Sequence, residues 1–135
     1  MRDLRIASTL GVGRSDYLRE LSASKLCFSP FGYGEVCWRD YEAVMCGTLL
    51  IKPDTSHVRT DPDIFVAGET YVPIRWDFAD LEEKVRYYLS HEDERRAIVE
   101  RAWSVLRDYA CSERFVDQMR PVLTDRAPAA MTLVA

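Results

Sequence analysis

The segment Thr48-Leu49-Leu50-Ile51 is apolar without alternation and is closed on one side by Gly47 and on the other by Pro53. A strand with one wet face alternates apolar and polar residues, whereas a strand covered on both faces does not. Few arrangements bury a strand on both sides within one chain, and the commonest is a parallel sheet between helices. The flanking pattern agrees with that reading. Val36 to Cys46 reads as a helix ended by Gly47, since glycine is the usual residue just past a helix C-terminus.

The same alternation of short apolar runs and helical periods extends in both directions. Ser15 is expected to cap a helix over Asp16 to Ser22 with Tyr17, Leu18 and Leu21 on one face. A compact strand over Leu26 to Ser29 follows, stopped by Pro30 and the glycine-containing loop FGYGE. After Ile51, the stretch from Asp54 to Gly68 is read as a long irregular connection, and Thr70 to Ile74 as a third strand. Asp77 is expected to cap a helix from Phe78 to Leu89, Ser90 the next one, with Ile98, Ala102, Val105, Leu106 and Tyr109 as its buried stripe, and Ser112 to start the last. Connections too long for hairpins make this an α/β domain: a Rossmann-like parallel sheet of three to four strands flanked by helices, with right-handed crossovers and a helical C-terminal part. A complete doubly wound nucleotide fold has about six strands, so the chain is expected to supply half of one. Residues 1–124 are assigned to this single domain and 125–135 to a flexible tail.

Composition narrows the function classes. With 135 residues, 47% of them hydrophobic and 30% charged, the chain has material for one core. A net charge of -4 gives no general attraction to nucleic acid or anionic membranes. No run reaches the roughly 18 apolar residues of a membrane span, and the first residues lack a signal-peptide core, so the expected location is cytoplasmic. Cys27, Cys37, Cys46 and Cys111 have no C-x-x-C pairing and read as reduced thiols, three of them in buried runs.

In a parallel sheet flanked by helices, ligands bind beyond the carboxyl ends of the strands, here the loops after Ser29 and Ile51. The first loop, PFGYGE, brings Gly32 and Gly34 to the start of a helix, where backbone N–H groups and the helix dipole favour a phosphate. Two glycines in such a loop also commonly serve only a turn. At 100° per residue, Cys37, Trp38, Tyr41, Val44 and Met45 fall on one apolar arc, with Arg39 and Glu42 together on the opposite side. Arg39 is placed to clamp a diphosphate and Glu42 to accept hydrogen bonds from ribose hydroxyls; the competing reading is a solvated ion pair between them. Asp54 and His57, in the loop after the second strand, are lesser candidates at the same crevice. Asp61-Pro62-Asp63 reads as a turn rather than a metal motif, so no metal is assigned.

The run SKLCFSPFGYGEVCWRDYEAVMCGTLLIKPD resembles the donor-binding lobe of GT-B glycosyltransferases, in the pattern S-K, apolar strand, P-x-G loop, R-x-x-E-A, G, apolar strand. The exostosin-like and protein O-glucosyltransferase-like branches are closest in style, and the likeness continues to about Tyr109 through TYVPIRWDFADLEEKVRYYLSHEDERRAIVERA. The resemblance implies a nucleoside diphosphate sugar as ligand. Its diphosphate would lie against Gly32, Tyr33, Gly34 and Arg39, and its ribose on Glu42. Many retaining members carry a pair of glutamates at fixed separation. Glu42 matches the second by its E-A-x-x-x-G context, Gly34 stands at the first position, and Glu35 is one residue off register, which leaves a sugar contact by Glu35 and the stereochemical outcome open. Such enzymes need neither a metal nor another cofactor, because cationic groups and a helix N-terminus stabilise the leaving diphosphate.

The expected function is therefore the donor-binding part of a glycosyltransferase, inactive alone and completed by an acceptor lobe in cis or in trans. The alternative is a noncatalytic nucleotide-binding or scaffolding module, to which Gly34 at the first acidic position gives weight. A receiver-like domain is disfavoured because no strand end carries the clustered carboxylates that a phospho-acceptor and its magnesium need. An incomplete sheet also leaves edge strands and apolar faces that a second copy of the chain would cover.

Overall fold

The computed structural model describes residues 11–60 and 62–124. The tail assigned to 125–135, the first ten residues and Asp61 lie outside the described residues. Three strands, β1 (Leu26–Phe28), β2 (Leu49–Pro53) and β3 (Val72–Ile74), form one sheet in the order β1-β2-β3, all parallel. The register sets Leu26 opposite Leu49, Phe28 opposite Ile51, Ile51 opposite Val72 and Pro53 opposite Ile74. Five helices surround it: α1 (Arg14–Ser22), α2 (Trp38–Met45), α3 (Leu81–Ser90), α4 (Glu92–Ala110) and α5 (Arg114–Thr124). This is the α/β Rossmann-like arrangement expected from the apolar run, with three strands.

The central strand shows why its sequence does not alternate. Leu49 and Ile51 point to one face with Val72 and Ile74, covered by Leu81, Val85 and Tyr88 of α3 and Ile98 and Val99 of α4. Leu50 points to the other with Cys27, covered by Leu21, Ala43, Val44 and Ala102 from α1, α2 and α4 and by Phe65 and Tyr71. All of Leu49, Leu50 and Ile51 are at most 1% exposed, a burial that stabilises by about 1.5–3 kcal/mol per side chain. Among the described residues the connection from β2 to β3 has no helix. Thr70 holds it instead, its hydroxyl donating to the Ile64 carbonyl at 2.6 Å and accepting from Val66 N–H at 2.8 Å.

Several boundaries differ from the sequence reading. Helix α1 begins at Arg14 after Gly13, so Ser15 is inside it and caps nothing. Helix α2 is shorter than Val36 to Cys46, but Gly47 ends it as expected, at φ +69°. Helix α3 starts at Leu81 rather than Phe78, because the Asp77 carboxylate is taken by Arg75 and by Ala79 N–H in a tight turn that leaves Phe78 at φ +59°. Ser90 closes α3, its hydroxyl donating back to the carbonyls of Arg86 and Tyr87, and His91 stands at the N-terminus of α4. Of the four cysteines only Cys27 is buried, Cys37 and Cys46 are partly so, and Cys111 is exposed; all are free thiols.

Candidate functional site

The carboxyl ends of the three strands open onto the loop 29–37, the start of the 54–68 connection and the turn 75–80. Ser29 is fully buried at the end of β1, its N–H donating to the Ile51 carbonyl at 2.9 Å. From there the chain rises through Pro30 to Val36 and enters α2 at Trp38. Cys37 caps that helix reciprocally with Asp40: its N–H donates to Asp40 Oδ2 at 3.0 Å, and its thiol faces Asp40 Oδ1 at 3.7 Å.

Beneath the loop lies a buried ion pair that the sequence reading did not anticipate. Lys52 and Asp40 have side-chain exposures of 1% and 0%, and Lys52 Nζ meets Asp40 Oδ2 at 2.5 Å. The same ammonium donates to the Glu35 carbonyl at 2.5 Å and stands 5.3 Å from the centre of the Phe65 ring. One cation thus ties the end of β2 to the start of α2 and to the glycine loop. Its signal in the sequence was a lone charge inside a strand buried on both faces, which demands a counterion.

That pair also overturns the expected orientation of α2. The helix turns Asp40, Ala43 and Val44 toward the sheet, while Trp38 and Met45, expected on the packed arc, are 81% and 55% exposed. Once Lys52 neutralises Asp40, the carboxylate belongs to the buried stripe, and the i, i+3, i+4 spacing of the three residues sets the rotation. Glu42 is not on a free face either. It is 7% exposed and meets Arg14 of α1 at 3.3 Å, so the competing reading of a solvated Arg39–Glu42 ion pair is replaced by a contact between helices. The Tyr17 hydroxyl is enclosed beside Glu42 without a hydrogen bond of good geometry; burial, then that carboxylate, pushes its pKa up to about 12. Arg39 is half-buried and makes no side-chain hydrogen bond among the described residues.

The remaining candidates cluster at the other side of the loop. Tyr33, Gly32, Gly34 and Glu35 are all exposed. Neither Gly32 nor Gly34 has a positive φ, and a Cβ added to either meets nothing closer than the Val36 carbonyl oxygen at 4.0 Å from Gly34. Gly32 N–H turns to the Gly34 carbonyl at 3.3 Å, whereas the N–H groups of Tyr33, Gly34 and Glu35, and of Trp38 and Arg39 in the first turn of α2, make no hydrogen bond among the described residues. His57 Nε2 lies 3.8 Å from Glu35 Oε1, both about half exposed, and the His57 ring packs 5.2 Å from Trp76. Trp76 in turn meets Phe31 edge-on at 5.5 Å. Asp54 serves its own loop: its carboxylate accepts from Ser56 N–H at 2.8 Å and Ser56 Oγ at 3.1 Å. The structure therefore brings Glu35 and His57 together and sets Glu42 apart from them, against α1. Among the described residues, no group of His, Cys, Asp and Glu side chains is arranged to hold a metal ion.

A parallel sheet flanked by helices, with a glycine loop feeding a helix N-terminus at the carboxyl ends of its strands, defines a Rossmann-like α/β domain. The family pattern described as glycosyl transferase-like matches residues 3–120, and the chain belongs to that family. No curated protein and no solved structure matches it. Membership makes glycosyl transfer the general function. Among the described residues no helix is long and apolar enough to cross a membrane.

Proposed function

We propose that this chain is the donor-binding part of a GT-B glycosyltransferase and takes a nucleoside diphosphate sugar at the loop 30–36 and the start of α2. The observation that carries the reading is the state of the two glycines. Neither adopts a turn conformation that needs glycine and neither is pressed by a neighbour, so the open space above Gly32 and Gly34 leaves room for a ligand to approach the backbone closely. The unpaired N–H groups of the loop and of Trp38 and Arg39 are donors suited to a diphosphate, and the Arg39 guanidinium supplies a charge-assisted contact.

In this reading the ribose goes to Glu42. Its present partner Arg14 is 78% exposed and is held by one contact, so ribose hydroxyls replace it at small cost. The leaving diphosphate is stabilised by backbone donors and Arg39 without a metal. An acceptor lobe, in the same polypeptide or in a partner, holds the acceptor whose hydroxyl attacks the anomeric carbon and expels the nucleoside diphosphate.

The test follows amide NMR signals from Phe31 to Glu42 while UDP, GDP and ADP are added separately, with Arg39→Ala as control. Saturable shifts confined to this segment and lost in Arg39→Ala are expected. A folded sample with no shift at millimolar nucleotide rejects autonomous nucleotide binding and leaves either a lobe that needs its missing partner or a noncatalytic module, the second of which Gly34 at the first acidic position supports.

A further inference from the structure

At the β3 side of the strand ends, joined to the glycine loop through the Phe31–Trp76 contact, lies a cleft of ≈ 550 Å³ lined by Asp54, Pro73, Ile74, Arg75, Trp76, Asp77 and Asp80. We infer that this cleft is a subsite for a neutral pyranose ring, stacked on Trp76 and hydrogen-bonded by the carboxylates around it. The choice of a saccharide rests on the chain's membership of a glycosyl transfer family, but the site itself is independent of where the nucleotide binds.

Trp76 is the first support. Its indole is 60% exposed, an expensive position for so large an apolar group, yet it is fixed rather than loose. Nε1–H donates to the Asp54 carbonyl at 3.0 Å, Phe31 meets the ring edge-on at 5.5 Å, and His57 leans on it at 5.2 Å. A pinned ring with an open surface has already lost the freedom that binding would otherwise take away. The turn that presents it is strained, with Phe78 at φ +59°, and Phe78 is held there against Phe28 with ring centres 5.6 Å apart.

Charge decides the class of ligand. The cleft has Asp54, Asp77 and Asp80 against the single cation Arg75, whose guanidinium is already committed to Asp77 at 2.7 and 3.0 Å. That excess of carboxylates repels phosphate and carboxylate ligands. A sugar ring offers the opposite match: its C–H face lies on an aromatic plane, and its hydroxyls donate to carboxylates. Asp80 takes only Arg75 N–H through Oδ1, at 2.8 Å, which leaves its other oxygen for a hydroxyl.

The experiment uses the intact chain and the indole N–H signal of Trp76, assigned by its disappearance in Trp76→Phe, with Trp103 on α4 as internal reference. Methyl glucoside, galactoside, mannoside and rhamnoside are titrated separately. A saturable shift of the Trp76 signal with at least one of them, with apparent Kd on the order of 10 mM for so small a ligand, is expected. Asp80→Asn is expected to weaken it severalfold and Trp76→Ala to abolish binding as read from amides of residues 73–80. UDP-glucose compared with UDP separates the sources: a Trp76 shift with the first alone assigns the ring to the donor, and a shift with the free glycosides alone to the acceptor. No movement with any glycoside or nucleotide sugar at ~100 mM overturns the inference. So does a shift produced by UDP or uridine alone, which would make the indole a platform for a base. Silence of the loop amides toward nucleotides, with the Trp76 signal still responding to sugars, would reject the proposed donor site and leave this one standing.

Discussion

Lys52→Met removes the ammonium that meets Asp40 Oδ2 and the Glu35 carbonyl, both at 2.5 Å, and replaces it with an apolar chain of similar length. Asp40 is then left at 0% exposure with the Cys37 N–H and thiol as its remaining polar partners. Breaking a buried pair from one side costs about 3–5 kcal/mol, because the surviving charge stays desolvated. The Glu35 carbonyl is only part-buried and regains water, so it adds little, and a loss of ~4 kcal/mol is expected. Against a total stability of about 5–15 kcal/mol for a domain, that is a large fraction. The informative comparison is Asp40→Leu with Lys52→Met in one chain. No charge is then stranded, and the remaining deficit is the lost cap on Cys37, about 1 kcal/mol. Urea unfolding followed by circular dichroism measures Lys52→Met, Asp40→Leu and the double variant. If Lys52→Met loses less than ~1 kcal/mol, or the double variant is as unstable as the sum of the singles, the pair is not the buried junction described here.

Cys27 has its thiol pKa pushed up to about 12, first by burial, against a smaller opposing pull from Arg39. At pH 8 a thiol-specific disulfide reagent should label Cys111 promptly and Cys27 only on unfolding; comparable rates would refute its burial. Tyr17 has a folded pKa of about 12 against an ordinary value of 10.0, so its contribution to stability is complete below pH 10 and is lost as pH rises through 12. Tyr17→Phe should make the alkaline loss of stability shallower, the remainder coming from other raised groups such as Tyr41 and Tyr71, and a profile unchanged by the substitution would deny the shift. Gly47→Ala should cost about 1–2 kcal/mol in urea unfolding, from backbone strain at φ +69° alone, since a Cβ there meets nothing. A neutral result would mean the C-terminus of α2 relaxes.

The parallel sheet was legible because one residue pattern answers to one environment: Leu49, Leu50 and Ile51 are apolar in succession, and both faces of β2 are covered. Gly47 was legible for a similar reason, as a left-handed residue that ends a helix. Helix starts were not. Ser15, Asp77 and Ser90 are all good capping residues by type, and each makes a different local bond or none, because side-chain oxygens satisfy turns and helix backbones as readily as N-termini.

The site was misread for a different cause. A helical wheel sorts residues by polarity and therefore placed Trp38 and Met45 within the core and left Asp40 unassigned, whereas a charge met by a buried countercharge behaves as part of the packed stripe. Lys52 supplies that countercharge from another element, 12 positions away in the chain. No local pattern contains both. The clue that could have joined them is negative: a lysine in a strand with no solvent face has nowhere to send its charge except toward a carboxylate across the sheet. Asp40, Glu35 and Glu42 were the acidic residues near enough in the fold to answer it, and only Asp40 falls in register with Ala43 and Val44 on the face of α2 that meets the sheet. Followed through, that argument turns Trp38 outward, sends Glu42 toward α1, and leaves the loop between Ser29 and Cys37 anchored at its base by Lys52 while its glycines stay open above.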